Sequence, residues 1–239
     1  MSRTTPLRNL SPDQLSLQAE LALCKRDLAY HISNHFYIKD KQGKIRLLKP
    51  LKRSQKMLLA AIDYCRNTLK IPPRVLVYKS RKTGISSLME AVMLTEVLAK
   101  GYEGIVIAHD LPTAQYIFSM LKRYLENYDL PGKPELERSN KKELKFKGCE
   151  GYVEVFTAAS AEAARGRTPQ VIHTSELAFW ENPDAAVGLF QSLAYTIDTL
   201  HVAETTPNGE DPLFKPMWEE AYDHCELKFT WDANNNPIP

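Results

Sequence analysis

The sequence predicts a three-layer α/β domain in which helices flank both faces of a mainly parallel central sheet. Two observations lead to this prediction. From Arg74 onward, short β-branched runs alternate with helical stretches long enough to connect parallel strands. The chain has 239 residues, of which 44% are hydrophobic and 25% charged, which suits one buried core and excludes disordered or collagen-like classes.

Before Arg74 the sequence predicts two helices separated by a strand. The capping box Ser11-Pro12-Asp13-Gln14 begins an amphipathic helix that ends near Asn34, and we assign residues 1–36 to an N-terminal helical segment. Residues 36–44 are typical of a short strand and turn. A second helix is expected over Ser54–Asn67.

After Arg74 five apolar runs are candidate strands and four stretches are candidate helices. The strands are 75–78, 105–108, 153–156, 171–173 and 200–203; the helices are 86–100, 113–127, 184–195 and 213–224. This alternation predicts parallel strands joined by crossovers. We assign residues 37–230 to this domain and 231–239 to a C-terminal tail or linker.

One segment departs from this alternation. Residues 142–147 alternate between charged, mostly lysine, and apolar side chains, and a turn at 148–151 leads into the strand at 153–156, so we expect a hairpin. Its lysine face is either a solvated edge that resists aggregation or a surface that contacts phosphates.

Charge and cysteine content exclude some classes of protein. A net charge of +2 neither predicts nor excludes a nucleic-acid partner. The four cysteines are scattered without a C-x-x-C pair, which argues against a zinc ribbon and fits reduced thiols. No stretch approaches the ~20 apolar residues of a membrane span, so we expect a soluble, cytosolic protein.

The segment 75–86 has the layout of a phosphate-binding loop: a buried strand, a polar turn and a helix start. Gly84 and Ser86 occupy the positions of the last glycine and the Mg²⁺-binding hydroxyl, but Ile85 replaces the usual lysine. Lys79 can supply the missing charge, because an ammonium from either end of a curled loop reaches the same oxygens. The remaining loop residues are Ser80, Arg81, Lys82 and Thr83. The alternative is a basic surface turn.

Two further strand ends point to the same crevice, since parallel strands place ligands outside their carboxyl ends. The strand ending at Ser175-Glu176 has the layout of the second nucleotide motif, with Glu176 as the base and Ser175 in the place of the metal-binding Asp. The alternative is an ordinary helix cap. Thr205 and Thr206 follow the next strand, where hydroxyls can sense the γ-phosphate.

An ordered set of segments resembles the ATPase domain of the large terminase subunit, the DNA-packaging motor of tailed bacteriophages. In chain order the segments are 38–44, 52–55, 75–86, 108–114, 157–158, 165–167, 175–180 and 204–209. The resemblance runs from about Tyr37 to Ala221. It implies a P-loop NTPase of the RecA/ASCE-like class that uses ATP and Mg²⁺.

The resemblance also implies residue roles. Lys79 and Arg81 would bind phosphate, Ser86 the Mg²⁺, Gln55 the adenine, Glu176 the hydrolytic water, and Thr205–Thr206 would couple hydrolysis to movement. Ring motors need an arginine at the γ-phosphate from the same or an adjacent subunit. Arg165 and Arg167 are the first candidates and Arg138 the third, although each could equally be a surface arginine.

The function implied is ATP hydrolysis that drives double-stranded DNA into a viral procapsid in the cytoplasm of the infected host. The expected partners are DNA, the portal protein and the small terminase subunit, with a homo-oligomeric ring on the procapsid and a monomer possible in isolation. No carboxylate cluster after Gly209 resembles a two-metal nuclease site, so we expect no nuclease activity. The alternatives are a single-domain helicase-like remodeller and a degenerate nucleic-acid-binding assembly module without hydrolysis.

Overall fold

The computed structural model describes residues 12–130, 133–164, 166–209, 211–221 and 227–230. Its centre is an eight-stranded sheet of order β10-β3-β9-β8-β4-β7-β6-β5. The strands are β3 (Arg74–Tyr78), β4 (Glu103–Ala108), β5 (Leu136–Ser139), β6 (Glu143–Phe146), β7 (Tyr152–Thr157), β8 (Val171–Ser175), β9 (Leu200–Thr205) and β10 (Leu227–Thr230). The pairs from β10 through β7 are parallel, whereas β7-β6 and β6-β5 are antiparallel.

The five strands that the sequence predicts all form, and all belong to the parallel part of the sheet. The sequence did not predict β5 or β10. Four helices follow strands in the predicted positions: α4 (Ile85–Lys100), α5 (Leu111–Asn127), α6 (Pro183–Ser192) and α7 (Phe214–Glu220). The predicted end of the last helix, at 222–224, and the tail at 231–239 lie outside the described residues.

The N-terminal helix expected to run to Asn34 is two helices, α1 (Pro12–Arg26) and α2 (Leu28–His35). The helix is interrupted at Asp27, which has an extended backbone and is the N-cap of α2. Its side chain accepts a hydrogen bond from the Tyr30 amide at 2.9 Å. Asp at this position satisfies an N–H group that has no partner within the helix, so a new helix begins here.

A small hairpin and a third helix complete the part before the main sheet. The hairpin pairs β1 (Tyr37–Lys39) with β2 (Ile45–Leu47) in antiparallel register. The helix α3 (Arg53–Asp63) continues as a π-helical segment over Tyr64–Leu69, which covers most of the predicted second helix.

Helices cover both faces of the sheet, and each face has its own apolar core. On β3, Val75 and Val77 join the core formed with α2, α3, α4 and α5, whereas Leu76 joins the core on the opposite face with α6 and α7. This alternation is the period-two pattern of a strand buried on both sides. The predicted three-layer α/β fold is confirmed. In the part of the chain that is described, no helix is both long and apolar enough to cross a bilayer.

The expected hairpin between β6 and β7 forms, but the lysine-bearing strand is not at the edge of the sheet. β5 covers its outer side. Lys145 and Lys147 of this segment contact acids on or next to β5: Glu137 at 3.2 Å and Glu135 at 2.9 Å. The expectation of a solvated edge strand is therefore wrong in position, because β5 pairs with β6, and these acids weaken the alternative of a phosphate-contacting face.

Candidate functional site

The three strand ends singled out from the sequence meet at one edge of the sheet. β3, β9 and β8 are neighbours, and the register pairs Tyr78 with Thr205 and Ser175 with Glu204. The residues that follow these strands line a cavity of about 390 Å³. Among its lining residues are Lys79, Arg81, Lys82, Thr83, Gly84, Ile85, Ser86, Ser175, Glu176 and Thr206.

The loop between β3 and α4 has the backbone shape of an anion-binding turn. Lys82 and Gly84 have positive φ angles of 67° and 83°, which bend the chain sharply before α4 begins. Such left-handed residues create concavities of backbone N–H groups, and the N-terminus of the following helix adds a partial positive charge. The loop is anchored at its start, where the Lys79 amide donates to the Thr205 carbonyl at 3.0 Å.

The position usually held by lysine is filled by Ile85 for a structural reason. Ile85 is the first residue of α4, is fully buried and belongs to the apolar core. A lysine there would need to lift its ammonium out of that core. The same loop exposes Arg81 and Lys82, while Thr83 is buried and Ser80 is half-buried.

Lys79 lines the cavity and lies against two acids. Its Nζ atom lies 3.3 Å from Oε1 of Glu176 and 2.5 Å from Oε2 of Glu204, and its side chain is only 6% exposed. Burial lowers the pKa of Lys79 from its ordinary value, and the charge of Glu176 opposes that shift. The predicted early lysine therefore lies beside the predicted base.

Glu176 is held in an unusual conformation by the segment after β9. Its φ is +53°, a left-handed conformation that non-glycine residues seldom adopt and that is often found at functional sites. Its Oε2 accepts hydrogen bonds from the amide and hydroxyl of Thr206, at 2.9 and 3.0 Å. Burial raises the pKa of Glu176, but Lys79 and Thr206 outweigh burial and leave the pKa below its ordinary value.

Thr205 also links the segment after β9 to the turn that carries Glu176. Its hydroxyl accepts a hydrogen bond from the Ala178 amide at 3.2 Å and donates to the Thr206 carbonyl at 3.0 Å. The Thr205–Thr206 segment thus contacts both the carboxylate and the backbone of the turn that carries Glu176. A displacement of either segment would therefore also displace the other.

Sequence reasoning missed one acid of this site, Glu204. It is fully buried on β9, and its Oε1 accepts hydrogen bonds from the hydroxyls of Ser86 at 2.7 Å and Ser175 at 3.1 Å. His173 lies behind it, with Nε2 at 3.6 Å from Oε1 of Glu204 and Nδ1 at 2.6 Å from Oε1 of Glu90. The available signal was an acid directly after the predicted strand at 200–203.

Gln55 has a different environment from the one expected of an adenine contact. It is 1% exposed; its Nε2 donates to the Gly84 carbonyl at 2.8 Å and its Oε1 accepts from the Lys52 amide at 2.9 Å. A buried side chain bonded at both ends of its amide offers little surface to a base, and the adenine contact stays a prediction. Through its hydrogen bond to the Gly84 carbonyl, Gln55 holds the loop before α4 in place.

Two of the three arginine candidates, Arg167 and Arg138, lie away from the cavity. Arg167 precedes β8, at the amino edge of the sheet, and its guanidinium contacts Glu154 at 2.7 Å and the Tyr152 hydroxyl at 3.1 Å. It therefore does not reach the loop of its own chain. Arg138, on β5, is exposed and pairs with Glu143 at 3.3 Å. Arg165 lies outside the described residues.

No protein-family model and no curated protein sequence matches the chain. Solved structures do match. The large terminase of bacteriophage HK97 has a TM-score of 0.63 at 15% identity, over 84% of this chain and 41% of that one. The large terminase of a thermophilic bacteriophage, in complex with ADP, has a TM-score of 0.61 at 15% identity, over 78% and 46%. The large-terminase ATPase domain of Thermus phage P74-26 has a TM-score of 0.51 at 18% identity, over 67% of each chain.

The chain has the fold of a phage large-terminase ATPase domain. It spans less than half the length of the two whole large terminases that it matches. The terminase fold is the one that the order of the sequence motifs indicated.

Proposed function

We propose that this chain is the motor domain of a phage DNA-packaging enzyme and hydrolyses ATP to move double-stranded DNA. The observation that carries the proposal is the meeting of Lys79, the loop before α4 and Glu176 in one cavity. A cation, an anion-binding turn and an acid are the parts that phosphoryl transfer to water requires. The match to a large terminase in complex with ADP supports the same function.

In this mechanism the loop binds the phosphates and Glu176 orients the attacking water. The backbone of residues 79–84 and the helix N-terminus would cradle the phosphates, with Lys79 and Arg81 neutralising their charge. Glu176 is ionised at neutral pH because its pKa is lowered, so its carboxylate can accept a hydrogen bond from the attacking water. Thr206 fixes the orientation of that carboxylate.

Mg²⁺ accompanies ATP in this proposal and would neutralise charge on the β- and γ-phosphate oxygens. The residues present fit such an ion. Ser86 places a hydroxyl at the start of α4, at the edge of the cavity, and Ser175 adds a second one. An oxygen-rich donor set of this kind suits Mg²⁺.

The rest of the proposal concerns partners. We propose double-stranded DNA as the substrate that is moved, bound through its phosphates, with portal protein and small terminase subunit as assembly partners and a ring as the working state. Because Arg167 lies at the amino edge of the sheet, it could serve as an arginine finger only for a neighbouring subunit. The proposed place of action is the cytoplasm of the infected host.

The test compares wild type with Glu176→Gln in calorimetric ATP binding and in phosphate release. Removing a positioned base costs roughly 10²- to 10⁴-fold in rate, so turnover should fall by that factor while nucleotide binding persists. Glu181→Gln, an exposed acid five residues later, is the matched control and should change neither quantity.

Each alternative gives its own result. Equal turnover in Glu176→Gln would contradict the assignment of the base. A wild-type chain that gives no heat with an ATP analogue and Mg²⁺ would support the degenerate assembly module. Strand displacement without DNA packaging would support the helicase-like remodeller.

A further inference from the structure

We propose that Glu204, on β9, supplies the carboxylate of the Mg²⁺ site that Ser175, on β8, cannot supply. This inference rests on the proposed function, because the metal in question is the one that accompanies ATP. It assigns Glu204 as a positioning residue that acts on the metal through the Ser86 hydroxyl.

The register of the sheet puts Glu204 beside the position where an acid is expected. Ser175 and Glu204 are directly paired on neighbouring parallel strands, and Glu204 is also paired with Val77 of β3. Neighbouring strands lie about 4.8 Å apart, so moving a carboxyl group from β8 to β9 displaces it by one strand spacing. The longer side chain of Glu, compared with Asp, helps to span that distance.

Glu204 pairs with Lys79 through Oε2, while its other oxygen has the contacts of a carboxylate that orients a metal-binding hydroxyl. Its Oε1 accepts from Ser86 at 2.7 Å, and Ser86 is the hydroxyl expected to bind Mg²⁺. A carboxylate that accepts the hydroxyl hydrogen leaves the oxygen lone pairs free for the ion. Ser175, which holds the position where an acid is expected, donates to the same oxygen at 3.1 Å. Ser175 therefore helps to orient the Glu204 carboxylate.

The burial of Glu204 also favours a functional role. Glu204, Glu90 and His173 are fully buried, and Lys79 is 6% exposed. Burying four ionisable groups together costs folding free energy that apolar side chains would not cost. Such clusters are characteristic of sites where charge is used.

Two metal-sensitive measurements test the assignment. The first is the affinity for a non-hydrolysable ATP analogue, measured calorimetrically in Mg²⁺ and in EDTA. The second is the affinity of the protein–nucleotide complex for Mn²⁺, a spectroscopic substitute for Mg²⁺, measured by electron paramagnetic resonance. Loss of an outer-shell partner typically lowers metal affinity about 10- to 100-fold. Glu204→Gln should show that loss, and its nucleotide affinity should fall more in Mg²⁺ than in EDTA.

Glu90→Gln is the matched control. Glu90 belongs to the same buried cluster but contacts His173 rather than Ser86. If burial alone matters, both variants should lose stability and neither should lose Mn²⁺ affinity selectively. The proposal requires Glu90→Gln to keep the Mn²⁺ affinity of wild type.

The exchange variant Ser175→Asp/Glu204→Ser decides the case in which Glu204→Gln does not fold. It returns the carboxylate to β8, so a folded exchange variant should bind Mn²⁺ within severalfold of wild type. A folded exchange variant without Mn²⁺ affinity would contradict the proposal.

Two further outcomes separate this inference from the proposed function. Unchanged Mn²⁺ affinity in folded Glu204→Gln would overturn the inference and leave the ATPase proposal intact. A wild-type chain that binds no nucleotide, with or without metal, would overturn both.

Discussion

The Nζ atom of Lys79 lies 3.3 Å from the Oε1 atom of Glu176, so the proposed phosphate-binding cation and the proposed base contact each other. The two residues are 97 positions apart in the chain. Their contact depends on the adjacency of β3, β9 and β8, which brings the ends of these strands to one edge. Phosphate binding by Lys79 would therefore also change the surroundings of Glu176.

Lys79→Met should weaken nucleotide binding, because it keeps the length of the side chain and removes its charge. Hydrogen bonds to charged groups contribute about 1.5–3 kcal/mol, which corresponds to roughly 10- to 100-fold in affinity. Calorimetric titration measures the loss, and a melting curve checks that the variant is folded. Lys79→Arg, which keeps the charge, should lose less; equal losses in both variants would argue against a charge effect.

Gly84→Ala should distort the loop. Gly84 has a φ of +83°, and a Cβ there would lie 2.9 Å from Nε2 of Gln55. Gly148→Ala is the control, since Gly148 has a φ of +67° but no atom within 4 Å of its would-be Cβ. Both substitutions incur a backbone cost of about 1–2 kcal/mol. Gly84→Ala should cost more in the free energy of unfolding and should also lower nucleotide affinity; equal effects would show that Gln55 does not constrain the loop.

The buried His201 predicts a loss of stability in acid. Burial, followed by the nearby Arg74 and His173, lowers the pKa of His201 from 6.5 to about 3; its ring nitrogens contact the hydroxyls of Thr174 and Tyr195. Between these pH values the unfolded chain binds a proton that the folded chain does not, so the free energy of unfolding falls as pH falls.

The contribution of His201 between pH 7 and pH 5 is on the order of 2 kcal/mol. His201→Gln, which keeps a polar side chain and removes the titration, should therefore lose less stability over that interval than wild type. Urea unfolding at both pH values measures the difference. The same pH dependence in both proteins would mean that His201 does not contribute.

Arg167→Ala should separate a structural role from a role in a neighbouring subunit. Within its own chain Arg167 pairs with Glu154, so its removal should lower the melting temperature and leave nucleotide binding and the turnover of isolated chains unchanged. If it serves as a finger in a ring, turnover of the assembled ring should fall roughly 10³- to 10⁵-fold. A fall of that size in isolated, monomeric chains would contradict the placement of Arg167 at the far edge of the sheet.

The fold could be predicted because the signals for its strands and helices lie in short, continuous stretches of the sequence. Each central strand is a short apolar run of its own, and each helix carries its own spacing and caps. The capping Asp27 was a local signal as well, but the apolar spacing on both sides of it favoured one continuous helix. β5 and β10 were missed because each is only four residues long and depends on a neighbouring strand for its place in the sheet.

The site could be predicted only in part, because some of its contacts depend on register and packing. The loop, Glu176 and Thr206 follow the ends of parallel strands, so their positions in the sequence were enough to predict that they meet at one edge of the sheet. Glu204 was missed because its relation to Ser175 exists only through the pairing of β8 with β9. Gln55 was assigned by resemblance, whereas its burial under Gly84 depends on how α3 packs against the loop.

The most direct test of the account is a crystal structure of this chain with Mg²⁺ and a non-hydrolysable ATP analogue. The account predicts that the Lys79 ammonium lies within about 3 Å of β- and γ-phosphoryl oxygens, with the phosphates enclosed by the loop before α4. A bound nucleotide whose phosphates lie away from Lys79, with that side chain still held by Glu176 and Glu204 or turned toward solvent, would contradict it.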